Sequence, residues 1–393
     1  MKKFLSIALA LLMVCVMLPV VALADEGEGG GSTVVAKIGN TEYATLAEAI
    51  NAVQAKQSET TVIELLNDAK GGFDIGNSSG TEWKDITIKM NGFTLSIVKP
   101  VGSTGTVTNG VRVLAYSKLT MIGGTVTANN SPDVKVGFAN YGTLVLDSIM
   151  IKDIGGALYT INNRGDLTIK GGTVVPNGGT NPNIAITNDP YNYFYTDTNA
   201  TLNVNDENVT IGDILVERYG NNTNSGVPEL NISAGKVSSI KDDGNSAISV
   251  MGNVTGGTFS SDVTEYAGNN LVVSDGTNYY VGATATSVVS NATSGTFTVV
   301  NGSANVDLTV KGGVTVKNGM AEGTVTVNGK TLEVDKEYTA PTVIIISGDT
   351  TPTETPKTED QKNPTTGAND FVGLAAAAAV VALLGSAVVL RKK

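Results

Sequence analysis

The side chains that could perform chemistry are few in this chain of 393 residues. Histidine is absent and Cys15 is the only cysteine, so imidazole catalysis, histidine metal sites and Ser-His-Asp triads are excluded. Two acidic pairs, Asp206-Glu207 and Asp242-Asp243, could offer carboxylates to a cation. Both lie beside Asn or Gly, as in turns where Asp and Asn bond to the local backbone. We interpret both pairs as turns, and we predict no metal and no cofactor.

One aromatic segment could contact a sugar. Tyr191, Tyr193 and Tyr195 belong to a run in which four of five residues are aromatic, whereas aromatic residues make up 5% of the chain. In an extended segment these tyrosines share one face and could stack on the rings of a host or dietary glycan, with Asn192 or Asp197 bonding its hydroxyls. The interpretation we favour is that they pack over an irregular coil and shield its edge.

The C-terminal end carries three elements in order. The first is a pentapeptide of Asn363, Pro364, Thr365, Thr366 and Gly367. The second runs from Phe371 to Leu390, and its 20 uncharged residues, at about 1.5 Å each, span one bilayer core as a helix. The third is the basic tail 391–393, which resists translocation and is expected to stay cytoplasmic.

This order resembles the cell-wall sorting signal of Gram-positive surface proteins. The resemblance implies that a sortase cleaves between Thr366 and Gly367 and joins the new carboxyl to peptidoglycan, so that the C-terminal helix anchors the chain only transiently. Pro364 favours an extended Asn363, and Gly367 lets an enzyme approach the backbone closely. The commonest form begins with Leu where this chain has Asn363, which leaves the sortase subclass open. A plain membrane anchor is the alternative.

The other end, residues 1–24, has the pattern of a secretory signal peptide. Lys2 and Lys3 precede an apolar run, and a small-x-small site ends at Ala24, which places the cleavage between Ala24 and Asp25. A first transmembrane helix is the alternative. The formal net charge of −11 supplies no basic surface for phosphates, so nucleic acid is not a predicted partner. We expect the protein at the cell surface, in the cell wall.

Between the two ends, the elements that would position any site repeat themselves. Similar segments, several of them containing Gly-Gly-Thr, begin at Ile86, Leu119, Leu144, Leu167, Leu202, Leu230 and Gly252. Apolar residues alternate within each copy, which predicts strands, and the paired glycines predict bends. A repeat of this length indicates a solenoid, in which each copy buries its apolar side against its neighbours.

These repeats resemble the pectate-lyase-like, right-handed parallel β-helix proteins exported by Gram-positive bacteria. The resemblance covers residues 34–282 and implies an all-β fold in which each turn contributes two or three short parallel strands. An antiparallel β-sandwich is the alternative, although it would require hairpin turns between strands.

The ends of such a stack need caps. Thr45 and Glu48 form a predicted capping box before a helix of about three turns, and a hairpin over 35–43 precedes it. We predict the first strand of the stack at 61–66 and a closing hairpin over 271–281.

Three further segments follow the predicted β-helix. Residues 283–348 are predicted to form a small β stalk domain of short antiparallel strands, with continuation of the solenoid as the alternative. Residues 349–362 are rich in Pro, Thr and charge and are predicted to be an extended spacer. The sorting signal occupies 363–393.

The families that these repeats resemble include enzymes, so the sequence was searched for catalytic residues. In those families lyases use Arg or Lys with acidic clusters, and the only arginines between the two terminal segments are Arg112, Arg164 and Arg218, none beside such a cluster. We therefore predict no catalytic residue and a binding or structural module, an adhesin or glycan-contacting protein, with sortase and peptidoglycan as partners. A divergent polysaccharide lyase and a passive spacer are the alternatives.

Overall fold

The computed structural model describes residues 33–342, apart from 78, 105–106, 129–132, 155–157, 175–182, 188–198, 219–226 and 245–249. The segments 1–24, 349–362 and 363–393 lie outside this part, and so does the predicted span 371–390. In the described part of the chain, no helix combines the length and the apolar character needed to cross a bilayer.

The described part is mostly β-strand. The first strands are β1 (Ala36–Ile38), β2 (Thr41–Tyr43), β3 (Thr61–Leu65), β4 (Ala69–Lys70), β5 (Phe73–Ile75), β6 (Asp85–Lys89), β7 (Thr94–Ser96), β8 (Gly102–Thr104) and β9 (Val107–Val113). The middle strands are β10 (Lys118–Thr127), β11 (Val136–Asn140), β12 (Thr143–Lys152), β13 (Tyr159–Asn163), β14 (Asp166–Val174), β15 (Ile184–Thr187), β16 (Thr201–Val204), β17 (Val209–Arg218), β18 (Glu229–Ile232), β19 (Lys236–Gly244), β20 (Met251–Val254) and β21 (Gly256–Phe259). The helices are α1 (Leu46–Ala52), α2 (Thr264–Ala267) and α3 (Gly282–Asn291).

Most of these strands belong to one long, largely parallel sheet. Its first column begins at Thr61, in the predicted first strand of the stack, which pairs with Ile86. The column then pairs the predicted repeat starts with one another in register, in the order Ile86, Leu119, Leu144, Leu167, Leu202, Leu230 and Gly252. The predicted repeat is therefore confirmed at the level of single residues. The number of residues between two repeat starts is the length of chain that makes one full turn and returns to the same column.

Two further columns complete each turn of the chain. The second pairs, in order, Ala69, Leu95, Val126, Ile151, Val174, Ile211, Val237 and Phe259. The third pairs Phe73, Val111, Phe138, Ile161, Ile184, Ile214 and Ile240. All of these side chains are buried in one apolar core, so successive turns bury each other's apolar sides. This arrangement is consistent with a β-solenoid.

Glycines make the bends between the first and second columns. Gly172 has φ +89°, and a Cβ atom there would lie 2.2 Å from the carbonyl oxygen of Ile149 in the preceding turn. Its neighbour Gly171 also has positive φ, and Ser148 takes the same conformation one turn earlier. Glycine is therefore required at Gly172 by both backbone conformation and close approach, whereas the equivalent of Gly171 can be a serine.

The predicted N-terminal cap is confirmed. Strand β1 pairs antiparallel with β2 and with β3, so it covers the open edge of the first column. Thr45 is the N-cap of α1, and its hydroxyl accepts a hydrogen bond from the Glu48 amide at 3.1 Å, while the Glu48 carboxylate accepts one from the Thr45 amide. The helix has seven residues, about two turns, because the chain leaves helical geometry at Val53.

The predicted closing hairpin is also confirmed. It consists of β22 (Val272–Ser274) and β23 (Tyr279–Val281), and β23 pairs antiparallel with β21. Helix α2 packs against β20, and a Cβ atom at Gly252 would lie 2.9 Å from the Cα atom of Tyr266. The last repeat therefore begins with glycine because Tyr266 of this helix approaches too closely for the leucine side chain of earlier turns.

A second apolar core lies beyond this hairpin. Its strands are β24 (Gly295–Asn301), β25 (Asn305–Leu308), β26 (Val314–Asn318), β27 (Thr324–Val327), β28 (Lys330–Leu332) and β29 (Glu337–Thr339). The prediction of antiparallel strands here is wrong for two of the pairs, because β24 pairs parallel with β26 and β25 with β27. The pairs β26–β29 and β27–β28 are antiparallel as predicted. Helix α3 was not predicted.

Candidate functional site

Outward-facing polar side chains form a continuous row on the first column. The position after each repeat start pairs Thr168, Asn203, Asn231 and Asn253 in register on four successive strands. The position before it pairs Asp166, Thr201, Glu229 and Met251. We name Asp166, Asn203, Glu229, Asn231 and Asn253 the amide–carboxylate strip. Because the solenoid repeats in register, side chains far apart in sequence stand about 4.8 Å apart.

Hydrogen bonds connect the strip from turn to turn. The amide of Asn253 donates to the side-chain oxygen of Asn231 at 3.3 Å, and Asn231 donates to that of Asn203 at 3.1 Å. Asn203 donates to the Asp166 carboxylate at 3.4 Å. Asn231 also donates to Glu229 at 2.9 Å. The shared bonds fix the side-chain orientations, so the strip is a preorganised row of donors and acceptors.

The electrostatics of the strip are set by its two carboxylates. Desolvation raises the pKa of Asp166, the hydrogen bond from Asn203 opposes the rise, and the charge of Glu229 adds to it. Burial is the largest cause of the raised pKa, and repulsion from Glu229 is a smaller one. The two carboxylates would repel a further negative charge on this face. A ligand that offers neutral hydroxyl or amine donors therefore suits the strip better than an anion.

The longer connections of the chain meet the strip at one corner. Strand β13 ends at Asn163 and β14 begins at Asp166, whereas β15 ends at Thr187 and β16 begins only at Thr201. The connections from β17 to β18 and from β19 to β20 are also longer than the corner before β14. Long connections on a rigid scaffold are where binding residues concentrate.

The predicted tyrosines fall in one of these connections. Tyr191, Tyr193 and Tyr195 lie outside the described residues, and so do the sorting motif Asn363–Gly367 and the cleavage site after Ala24. The sequence places the tyrosines between Thr187 and Thr201, in the connection that leads into the strip.

The two acidic pairs have different outcomes. Asp206 accepts hydrogen bonds from the backbone and side-chain amides of Asn208 at 2.8 and 3.0 Å, so the predicted turn at Asp206-Glu207 is confirmed. The turn prediction at Asp242-Asp243 is wrong, because both residues lie in β19 and pair with Val216 and Glu217 of β17. Register with the neighbouring strand outweighs their low strand propensity.

In the described part of the chain, no arginine lies beside a cluster of three or more carboxylates such as a lyase would use. Arg112 is held by a bidentate ion pair with Asp74, and this hydrogen bonding raises the pKa of the guanidinium. Among the described residues, no three His, Cys, Asp or Glu side chains are grouped closely enough to hold a metal ion.

Comparison with known proteins adds no relative. No protein-family model, no curated protein and no solved structure matches the chain.

Proposed function

We propose that the protein is an exported surface protein that a sortase attaches to peptidoglycan, and that it presents a right-handed parallel β-helix as a binding module, an adhesin that contacts glycans. The observation that carries the binding role is the amide–carboxylate strip, a preorganised row on in-register parallel strands. Amide and carboxylate groups can hydrogen-bond to sugar hydroxyls. Because neighbouring strands are about 4.8 Å apart, the strip offers several such contacts along one extended glycan.

The attachment role is supported by the two ends of the sequence. Residues 1–24 have the pattern of a signal peptide, and the order of Asn363–Gly367, the apolar span 371–390 and the basic tail resembles a sorting signal. The spacer 349–362 would hold the folded part away from the attachment point.

Fractionation tests the attachment. We expect the protein in the muramidase-released wall fraction of a sortase-positive strain and in the detergent-extractable membrane fraction of a sortase-deficient strain. Thr366→Ala should shift it to the membrane in both, whereas Thr353→Ala in the spacer should not. Detergent extraction from both strains without the substitution would contradict wall linkage.

A glycan array tests the binding role. The parent protein should bind a subset of neutral glycans, and Asn231→Ala should weaken that binding by about tenfold, because Asn231 takes part in three of the four bonds that order the strip. Lys152→Ala, an exposed substitution at the end of β12, is the matched control. Absence of glycan binding by the parent would contradict the proposal. A gain in absorbance from unsaturated product, when the protein is incubated with acidic polysaccharides, would favour a lyase.

The tyrosines are tested separately. Replacing Tyr191, Tyr193 and Tyr195 together by Ala should weaken the same binding if they extend the strip. Unchanged binding would assign these residues to packing and leave the strip as the contact surface.

A further inference from the structure

A cavity of about 400 Å³ lies beside the N-terminal cap, away from the amide–carboxylate strip. Helix α1 supplies Ile50 and Asn51 to its wall, β5 supplies Phe73, and the segment before β6 supplies Glu82 and Lys84. Its size is within the range of small-molecule sites, and its wall combines apolar side chains with a few polar groups.

Lys84 is the unusual member of this wall. The half-buried Lys84 ammonium donates a hydrogen bond to the carbonyl oxygen of Ile50 at 2.9 Å, near the C-terminal end of α1. Desolvation lowers the pKa of Lys84, and the charge of Glu82 opposes that shift. Within the described residues, Lys84 has no carboxylate within 4 Å. The cavity thus contains a partly desolvated positive charge whose hydrogen-bond partner is a neutral carbonyl.

The other charges of the cavity define a complementary ligand. Asp74 is neutralised by its bidentate pair with Arg112. Glu82 is exposed at the rim, and its charge is close enough to influence Lys84 although the two do not form an ion pair. The cavity therefore offers one ammonium and one carboxylate. Ile50 and Phe73 are almost completely buried, so the accessible apolar surface of the wall comes from the exposed Ala47 and the half-buried Val101.

We propose that this cavity binds a small zwitterion, an α-amino acid with a compact apolar side chain. The ligand carboxylate pairs with Lys84, its ammonium with Glu82, and its side chain packs on Val101. Both ligand charges find a partner of opposite sign, and the apolar side chain displaces water from the cavity wall.

Equilibrium dialysis of the purified full chain against isotope-labelled L-valine tests the proposal. L-valine should bind with a millimolar dissociation constant, and two competitors should bind at least about tenfold more weakly. Isovalerate lacks the ammonium and isobutylamine lacks the carboxylate, but both keep the same hydrocarbon body. Failure of valine to bind, or equal binding of either analogue, overturns the proposal.

Two substitutions assign the charges. Lys84→Met should abolish the advantage of valine over isobutylamine, and Glu82→Gln should abolish its advantage over isovalerate. Lys70→Met, on the exposed side of β4, is the control and should bind valine as the parent does. Valine binding by Lys84→Met within twofold of the parent overturns the assignment. Should Lys84→Met fail to fold, the exposed Glu82→Gln variant still decides, because unchanged selectivity there also overturns it.

Discussion

Buried asparagines hold two successive corners of the solenoid. Asn163 donates to the carbonyl oxygens of Gly165 and Thr201 at 3.0 and 2.9 Å, and it accepts a hydrogen bond from Asn140 at 2.7 Å. Both asparagines are fully buried. Each therefore satisfies backbone groups that the turn between two strands would leave without a partner.

Asn163→Ala should lower the free energy of unfolding by about 2–4 kcal/mol, because it removes partners from several buried polar groups. Asn253→Ala is the control: its side chain is exposed and makes one bond of 3.3 Å, so its cost should be below about 0.5 kcal/mol. Urea unfolding followed by circular dichroism measures both. Equal costs for the two variants would contradict the structural role of the buried corner.

Asp166 predicts a pH dependence of stability. Its pKa is raised in the folded state by desolvation and by Glu229, so the protonated carboxyl stabilises the folded protein. This stabilisation is fully present below the ordinary pKa of 3.8 and is lost as the pH rises through the pKa of the folded state. Asp166→Asn should therefore gain stability relative to the parent between pH 3 and pH 7, as measured by urea midpoints. A Glu229→Gln background should reduce this gain. If the urea midpoints of parent and variant differ by the same amount at pH 3 and at pH 7, Asp166 does not have a raised pKa in the folded state.

The residues of the strip could have been found from the sequence. Alignment of the repeat starts places Asn203, Asn231 and Asn253 at the same position of three consecutive copies. The buried corners were not predictable in the same way, because Asn followed two residues later by Gly is typical of an exposed turn. Burial of Asn140 and Asn163 depends on the strands that the next turns place over them.

At the scale of elements, helix α1 is stabilised by its capping box. Thr45→Ala removes the acceptor for the Glu48 amide and should cost about 1 kcal/mol of stability. Hydrogen exchange of the α1 amides and the melting temperature measure the effect, with the exposed Ser58→Ala as control. Protection of α1 equal to that of the parent would show that packing of Leu46 and Ile50 alone holds the helix.

The elements that the sequence predicted correctly share a local signal. The repeat strands have alternating apolar residues and paired glycines, and the caps have a capping box or a hairpin loop. Helix α3 lacks such a signal, because its residues are rich in Thr, Ser and Val, which have low helix propensity. Burial of Ala285 and Val289, four residues apart, against the second core decides its structure.

At the scale of the whole molecule, the described part of the chain protects the exposed edges of its long sheet. Strand β1 pairs antiparallel on β3 at the start, and β23 pairs antiparallel on β21 at the end. An uncovered edge would present free backbone groups to other chains. The antiparallel caps thus remove two edges at which another chain could add to the parallel sheet.

Each proposed surface depends on the register of the stacked turns, and cysteine pairs measure that register. Thr120 and Val145 face outward and pair directly on β10 and β12, while Thr120 and Thr168 are two strands apart. Paired Cα atoms at about 4.8 Å are within disulfide range, and a separation of about 9.6 Å is not.

The measurement is mild oxidation followed by thiol counting in a Cys15→Ser background. Thr120→Cys with Val145→Cys should form one intramolecular disulfide, whereas Thr120→Cys with Thr168→Cys should keep two free thiols. Free thiols in the first variant, or an equally fast disulfide in the second, would contradict the in-register parallel stack.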